Sequence, residues 1–427
     1  MAERRIVLVD DPVARSWEPF ALTRPIGELR VGAWTPRERA EAALGGVCVG
    51  HLTAPHLAEY DEPWAPPTLA QLPEPGAGGL VVWQSRALPA PGAAVELGDE
   101  PTWLRVDGAA CGWYAPPGGP AVPPDWLADP TGPMESGERK GIDIQGALLR
   151  DVWELVTRLP DLLAGDVAYA AAVADGCGGA APAETQGLRR AGAGDLPAGV
   201  HALGEGPLLL GPDVDIEPTA ILDLRAGGIA LESGVSVRAG TRLAGPSWIG
   251  AGSVLLGGSI DTVSTGPRCR VRGEVEASVL LGYVNKAHDG FLGHAALGAW
   301  VNLGALTTNS DLKNNYSSVS VWTPDGERDT GERKIGCFLG DHVKTAIGTL
   351  LGTGTTVGAG ASLFDDPRTS RSVPPFSWGG GAAVTNLDRF LETASSVMAR
   401  RDVELSAAQR AALSAAWQRA TGDLHTT

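Results

Sequence analysis

Lysine is nearly missing from this chain: of 34 basic residues five are lysine and the rest arginine. Asparagine is as scarce, with six in 427 residues. Cysteine occurs five times, at 48, 111, 177, 269 and 337, an odd number without C-x-x-C spacing. That count argues against a disulfide framework or a zinc ribbon and for reduced thiols. No apolar run reaches the ~18 residues of a membrane span. The opening MAERRIVLVDDP has no long apolar core of a signal peptide, so a cytoplasmic location is expected. Basic charge is also short, 34 against 50 acidic residues, for a net charge of −16. A sequence-independent grip on phosphate backbones needs a basic face, so nucleic acid is excluded as a natural partner, while small anions can still bind a local cluster.

What is present points to a globular chain of two or three domains, with 43% hydrophobic and 20% charged residues. Glycine (58) and proline (32) are abundant without a collagen period. Of the 13 tryptophans, Trp248, Trp300 and Trp322 alone fall between 206 and 370, which suggests two kinds of structure. The scarce residues cluster. Lys286, Lys313, Lys334 and Lys344 lie between 285 and 344, with Asn285, Asn302, Asn309, Asn314, Asn315, His288, His294 and His342. Turn chemistry accounts for some asparagines. It does not account for lysine kept in an arginine-rich chain, because the two cations are not interchangeable. A polar site is expected in this stretch.

A period of six supplies the framework. Leu231, Val237, Leu243, Ile249 and Leu255 are each six apart; Val263, Cys269, Val275 and Leu281 continue in a shifted phase. Leu297, Leu303, Leu339, Thr345, Leu351, Val357 and Leu363 follow. Six is neither the helical period nor strand alternation. It fits a coil of short strands and tight corners, three hexads per triangular turn, with the aliphatics stacked inside. The phase breaks near 256–262 and 282–296, and the polar insert KNNYSSVSVWTPDGERDTGERK (313–334) is expected to leave the coil as a loop.

Before the repeat, residues 1–190 read as an α/β domain. A buried strand covers Arg5–Asp10, a helix PRERAEAAL covers 36–44, a strand GLVVWQ covers 79–84, and a helical run IDIQGALLRDVWELVTRLPDLLA covers 142–164. A linker is expected at 191–205, the β-helix at 206–370, and a loop with two helices at 371–427. Ser406 and Gln409 form a capping box for the second of these helices. The two halves are expected to fold as separate units.

NKAHDGFLG (285–293), LGAWVNLGALTTN (297–309) and IGCFLGDHVKTAIGT (335–349) resemble the acetyltransferase half of bacterial bifunctional UDP-N-acetylglucosamine pyrophosphorylase/glucosamine-1-phosphate acetyltransferases. LTRPIGELRVGAWTPRERAE (22–41) and RGEVEASVLLG (272–282) are similar to an alternative form of that family, a sugar nucleotidyltransferase. The resemblance implies a nucleotidyltransferase-like α/β domain, a left-handed parallel β-helix and a homotrimer. It implies acetyl-CoA as co-substrate, glucosamine 1-phosphate as acceptor, and UTP with Mg²⁺ at the first domain.

By that resemblance His288 is the general base, Asn302 is the asparagine of a V-N-φ-G segment, and Ala305 offers its N–H to the thioester carbonyl. Phe291 replaces the usual tyrosine. Asn309 or Asp311 holds the sugar amine or its acetyl group, and Lys286, Lys313 and Lys344 are substrate-side cations. A histidine of pKa near 6.5 suits removal of the amine proton, and a backbone N–H suits the oxyanion. The bland alternative for His288 is a solvated loop histidine. The three histidines 288, 294 and 342 lack the compact pairing of a zinc site. At the N-terminus the strand runs into PVARSWEPF, without the glycine-rich phosphate loop of ordinary nucleotidyltransferases. Arg24, Glu28 and Arg30 are the nucleotide-side candidates, with solvated surface charges as the alternative, and the sequence names no metal ligand. The rival function is a sugar-1-phosphate nucleotidyltransferase whose β-helix only trimerises or binds an effector.

Overall fold

A computed structural model describes residues 3–129, 141–381 and 383–422. The chain forms an α/β domain, a parallel β-helix and two C-terminal helices.

The strand Arg4–Val9 ends in four buried aliphatics, the continuous apolar run of a strand covered on both faces. Gly46–Leu52 and Leu80–Gln84 flank it, both parallel to it. The sheet continues antiparallel through Ala109–Ala115 and Thr102–Val106 and ends at the parallel edge strand Gly141–Asp143. Pro36–Leu44 is helical as its sequence predicts. Thr35 and Glu38 close a capping box, Pro36 sits in the first turn and Gly45 ends the helix at φ 62°.

The helical run expected at 142–164 is corrected. Gly141–Asp143 and Gly146–Leu148 are strands, and helix begins at Glu154 and continues as Leu159–Ala174. Two glycines decide this. A Cβ on Gly146 would lie 2.2 Å from the carbonyl oxygen of Leu88, its strand neighbour, and one on Gly141 2.7 Å from that of Trp103. Only glycine admits such close backbone approach.

From His201 to Gly379 the chain winds as a β-helix whose coil strands pair in parallel with those of the next coil. Ile229 pairs with Ser247, three hexads on, so one coil spans three hexads there. Its interior is the predicted aliphatic column, from Leu231 through Ile249 and Leu297 to Leu363. The shifted phase has a physical origin. Val263 pairs with Ser278, a coil shorter than that by half a hexad. There the strands Val254–Thr265 and Arg270–Leu280 run long, without ordinary corners. One expected position moves as a result. Leu280 fills the core where the hexad pattern places Leu281, and Leu281 turns outward toward the N-terminal domain. The polar insert leaves the coil as expected. Ala296 pairs with Phe338, far beyond the usual three hexads, and between them Ser320–Thr323 and Gly326–Asp329 form an antiparallel hairpin.

The halves, expected to fold as separate units, pack against each other over a shared buried surface. Trp17, Phe20, Leu29, Trp153 and Leu155 of the first domain share one buried cluster with Ala296, Val321, Ile335 and Phe338 of the β-helix. Trp34 packs edge-on against Trp248 across the same junction, ring centroids 5.7 Å apart. The helices Leu387–Ala399 and Ala407–Thr421, the second with the expected Ser406–Gln409 box, lie over both halves. Phe390 and Ala416 pack with Leu22 and Phe376, and Ser406 bonds Asp61 at 2.7 Å.

Candidate functional site

Successive corners of the β-helix stack His288, Ala305 and Ile347 in one column. The Leu306 N–H donates to the Asp289 carbonyl (3.0 Å), and the Gly348 N–H to that of Ala305 (2.8 Å). The face leading into this corner carries Asn285, Asn302 and Lys344 on consecutive coils. The structure therefore brings together four of the candidates, His288, Ala305, Asn302 and Lys344.

Their side chains are in different states. His288 is exposed and its ring bonds no described residue. The Ala305 N–H likewise meets no acceptor among the described residues. Asn302 accepts from Asn285 Nδ2 at 2.9 Å. Lys286, 2% exposed, points inward; its Nζ donates to the carbonyls of Arg272 (2.9 Å) and His288. Burial pushes its amine down to about 8, against the pull of Asp289. It braces the corner that presents His288. Lys344 donates to the His342 carbonyl at 3.0 Å and is pushed down to about 8 by burial. It opens onto a groove of about 710 Å³ walled by Phe364, Trp378, Asn386 and Arg389.

The other β-helix candidates lie beyond that corner. Asn309 is buried, its amide clamping the N–H and C=O of Gly293, both at 2.8 Å. Asp311 accepts from His294 Nδ1 at 2.8 Å. Burial alone would raise its carboxyl, but the His294 hydrogen bond and charge, with Lys334, hold it below the usual carboxylate range. Lys313 donates to the Ser318 carbonyl within the insert. The His294–Asp311 pair is a contact the sequence reading missed. Its signal lies in the spacing, since the two are separated by 17 positions, the same step that separates Asn285 from Asn302.

In the first domain all three candidates are buried and paired, not solvated. Arg24 meets Asp341 of the β-helix at 2.8 Å, and Arg30 lies 3.7 Å from Glu232. Glu28 takes Arg37 at 2.7 Å and His51 at 2.8 Å. The crevice at the carboxyl ends of the parallel strands is where such sheets usually bind ligands. Here it is filled by its own side chains. Asp10 accepts from Thr53 (2.5 Å), Ser85 (2.6 Å) and the Ile26 N–H (3.2 Å). Asp11 holds Arg86 and Gln84 and caps the turn Pro12–Arg15. No group of three metal-ligating side chains occurs among the described residues, and the Asp10 and Asp11 carboxylates are already hydrogen-bonded or ion-paired. No helix of the described residues is long and apolar enough to cross a membrane.

Residues 6–173 match a family model described as sugar nucleotidyl transferase. A bifunctional sugar-1-phosphate nucleotidylyltransferase/acetyltransferase of Sulfurisphaera tokodaii is 30% identical over 100 residues, 23% of this chain and 25% of the relative. The matched stretch thus spans about a quarter of that curated relative.

Proposed function

We propose that the chain is a bifunctional transferase of amino-sugar activation. Its β-helix acetylates glucosamine 1-phosphate from acetyl-CoA, and its first domain transfers uridylyl from UTP to the sugar 1-phosphate. The observation that carries this reading is the joining of a sugar-nucleotidyl-transferase-type domain to a β-helix. On that β-helix an unengaged imidazole, His288, lies one coil from the unengaged Ala305 N–H.

In this reading His288 removes a proton from the sugar ammonium as its nitrogen attacks the thioester carbon. The Ala305 N–H meets the oxyanion, the C–S bond breaks, and the thiolate leaves and takes up a proton. Lys344 faces the sugar phosphate, and the groove with exposed Phe364 and Trp378 takes the thioester's carrier arm. A homotrimer is part of the same reading. Leu306 and Ile347, 63% and 78% exposed, flank the His288 corner, and a neighbouring β-helix would cover them and close an otherwise open site.

The test is release of free thiol from acetyl-CoA with glucosamine 1-phosphate, measured beside pyrophosphate release from UTP. Thiol release is expected with the amino sugar phosphate and not with its N-acetylated form. Pyrophosphate release without thiol release would leave the β-helix as a trimerising or effector-binding module.

A further inference from the structure

One cavity between the halves is not part of the His288 corner. It is a cavity of about 690 Å³, the size of a small-molecule pocket. One wall is the helix Pro36–Leu44, one is the loop carrying Glu62 and Trp64, and the others come from Glu184 and from the β-helix corners at Tyr283 and Trp300.

Its charges are unevenly satisfied. The guanidiniums on its wall are all occupied: Arg24 by Asp341, Arg37 by Glu28 and Glu41, and Arg30 by Glu232. The unmatched groups are carboxyls. Glu62 makes no hydrogen bond or ion pair among the described residues, and Glu184 Oε2 is buried without a partner. Burial pushes the Glu62 carboxyl up to about 7 despite nearby Arg24. Burial and a hydrogen bond with Glu38 push Glu184 up to about 9.

The aromatic wall completes the pattern. Tyr283 and Trp300 stack at 4.0 Å between ring centroids, in direct contact. Trp64 lies parallel to Tyr283 within 17° but at 6.3 Å, and it is half exposed. The exposed face of Trp64 beside an unpaired carboxyl suits a ring bearing an amine. Ring faces attract cations and pack well against C–H surfaces.

We infer that this inter-domain cavity binds a small organic cation, an amine carried on a ring, with Glu62 taking the ammonium and Trp64 and Tyr283 the ring. The inference is independent of the acetyl-transfer reading, because none of these residues belongs to the His288 corner.

The probe is cyclohexylamine, with cyclohexanol as its neutral counterpart, titrated calorimetrically into the full chain. Saturable binding at one site per chain is expected, on the order of 1 mM or tighter for so small a ligand. Cyclohexanol should bind at least tenfold more weakly. Glu62→Gln and Trp64→Ala, both at positions away from the packed core, should each weaken cyclohexylamine at least tenfold. His288→Ala should leave it unchanged, which separates this site from the proposed acceptor site. Equal binding of the alcohol, full binding by Glu62→Gln, or no saturable binding at all would overturn the inference.

Discussion

His288 and His294 sit one hexad apart, yet their environments diverge. His294 is tied to Asp311, while the His288 ring bonds no described residue and its main chain is braced from below by Lys286. Positioned acid–base groups contribute ~10²–10⁴-fold. His288→Ala is therefore expected to lower the kcat of acetyl transfer by about that factor with unchanged melting temperature; near-normal turnover would remove His288 from the mechanism. Lys286→Met should act differently. It removes the donor that ties the Arg272 and His288 carbonyls together, so denaturant midpoints should fall along with activity. This contrast of roles follows from burial, which sequence spacing does not report. The coil step does report some contacts: a spacing of 17 joins Asn285 to Asn302 and His294 to Asp311. The Arg24–Asp341 pair was illegible by the same measure, because its partners are 317 positions apart and belong to different domains.

Within the β-helix, coil length decides which aliphatic faces inward. Strict hexads predict the interior column wherever a coil holds three of them. They miss at Leu280, because a coil half a hexad short advances the phase. Leu280→Ala is expected to cost ~2–5 kcal/mol, as for other buried leucines. Leu281→Ala should cost clearly less in the same chemical denaturation; equal losses would mean that both face the interior. A second feature of the corners was invisible in the hexad pattern. Tyr283, Trp300 and His342 hold left-handed φ values of 54°, 62° and 61°, a conformation that costs ~1–2 kcal/mol per residue. Their stacking in one column offsets this: Trp300 lies 6.3 Å from His342, and Phe390 meets His342 edge-on at 5.8 Å.

Burial, with Lys344 adding to it, pushes the His342 imidazole down to about 3. An unfolded chain would take up a proton there below pH ~6.5 while the folded one refuses it. Stability linked to His342 is thus complete above that pH and is lost as pH falls toward 3. His342→Phe should flatten the fall of melting temperature across this window, and an unchanged slope would show that the acid sensitivity arises elsewhere.

At the scale of the whole molecule, charge, aromatic stacking and the C-terminal helices all cross the same junction. Arg24→Ala would strand the Asp341 carboxylate in a buried site, a loss of ~3–5 kcal/mol. Calorimetry of the native chain should give one cooperative transition, with Arg24→Ala lowering it as a unit. Two well-separated transitions would restore the picture of independent halves. The sequence told the two architectures apart by tryptophan distribution and period, but not that their surfaces are joined, because Trp34, Phe20 and Phe338 read simply as apolar residues of their own segments.

This joining constrains motion. Two-domain enzymes commonly close over a substrate by swinging one body against the other about a short hinge. Here the first domain is held to the β-helix by the Trp34–Trp248 contact and the Arg24–Asp341 pair, and to the C-terminal helices by the Ser406–Asp61 bond. A swing would have to break all of these together. Access to the cavity between the halves must therefore be governed by local shifts, such as that of the half-exposed Trp64, and ligands would enter and leave while the two bodies keep their mutual orientation.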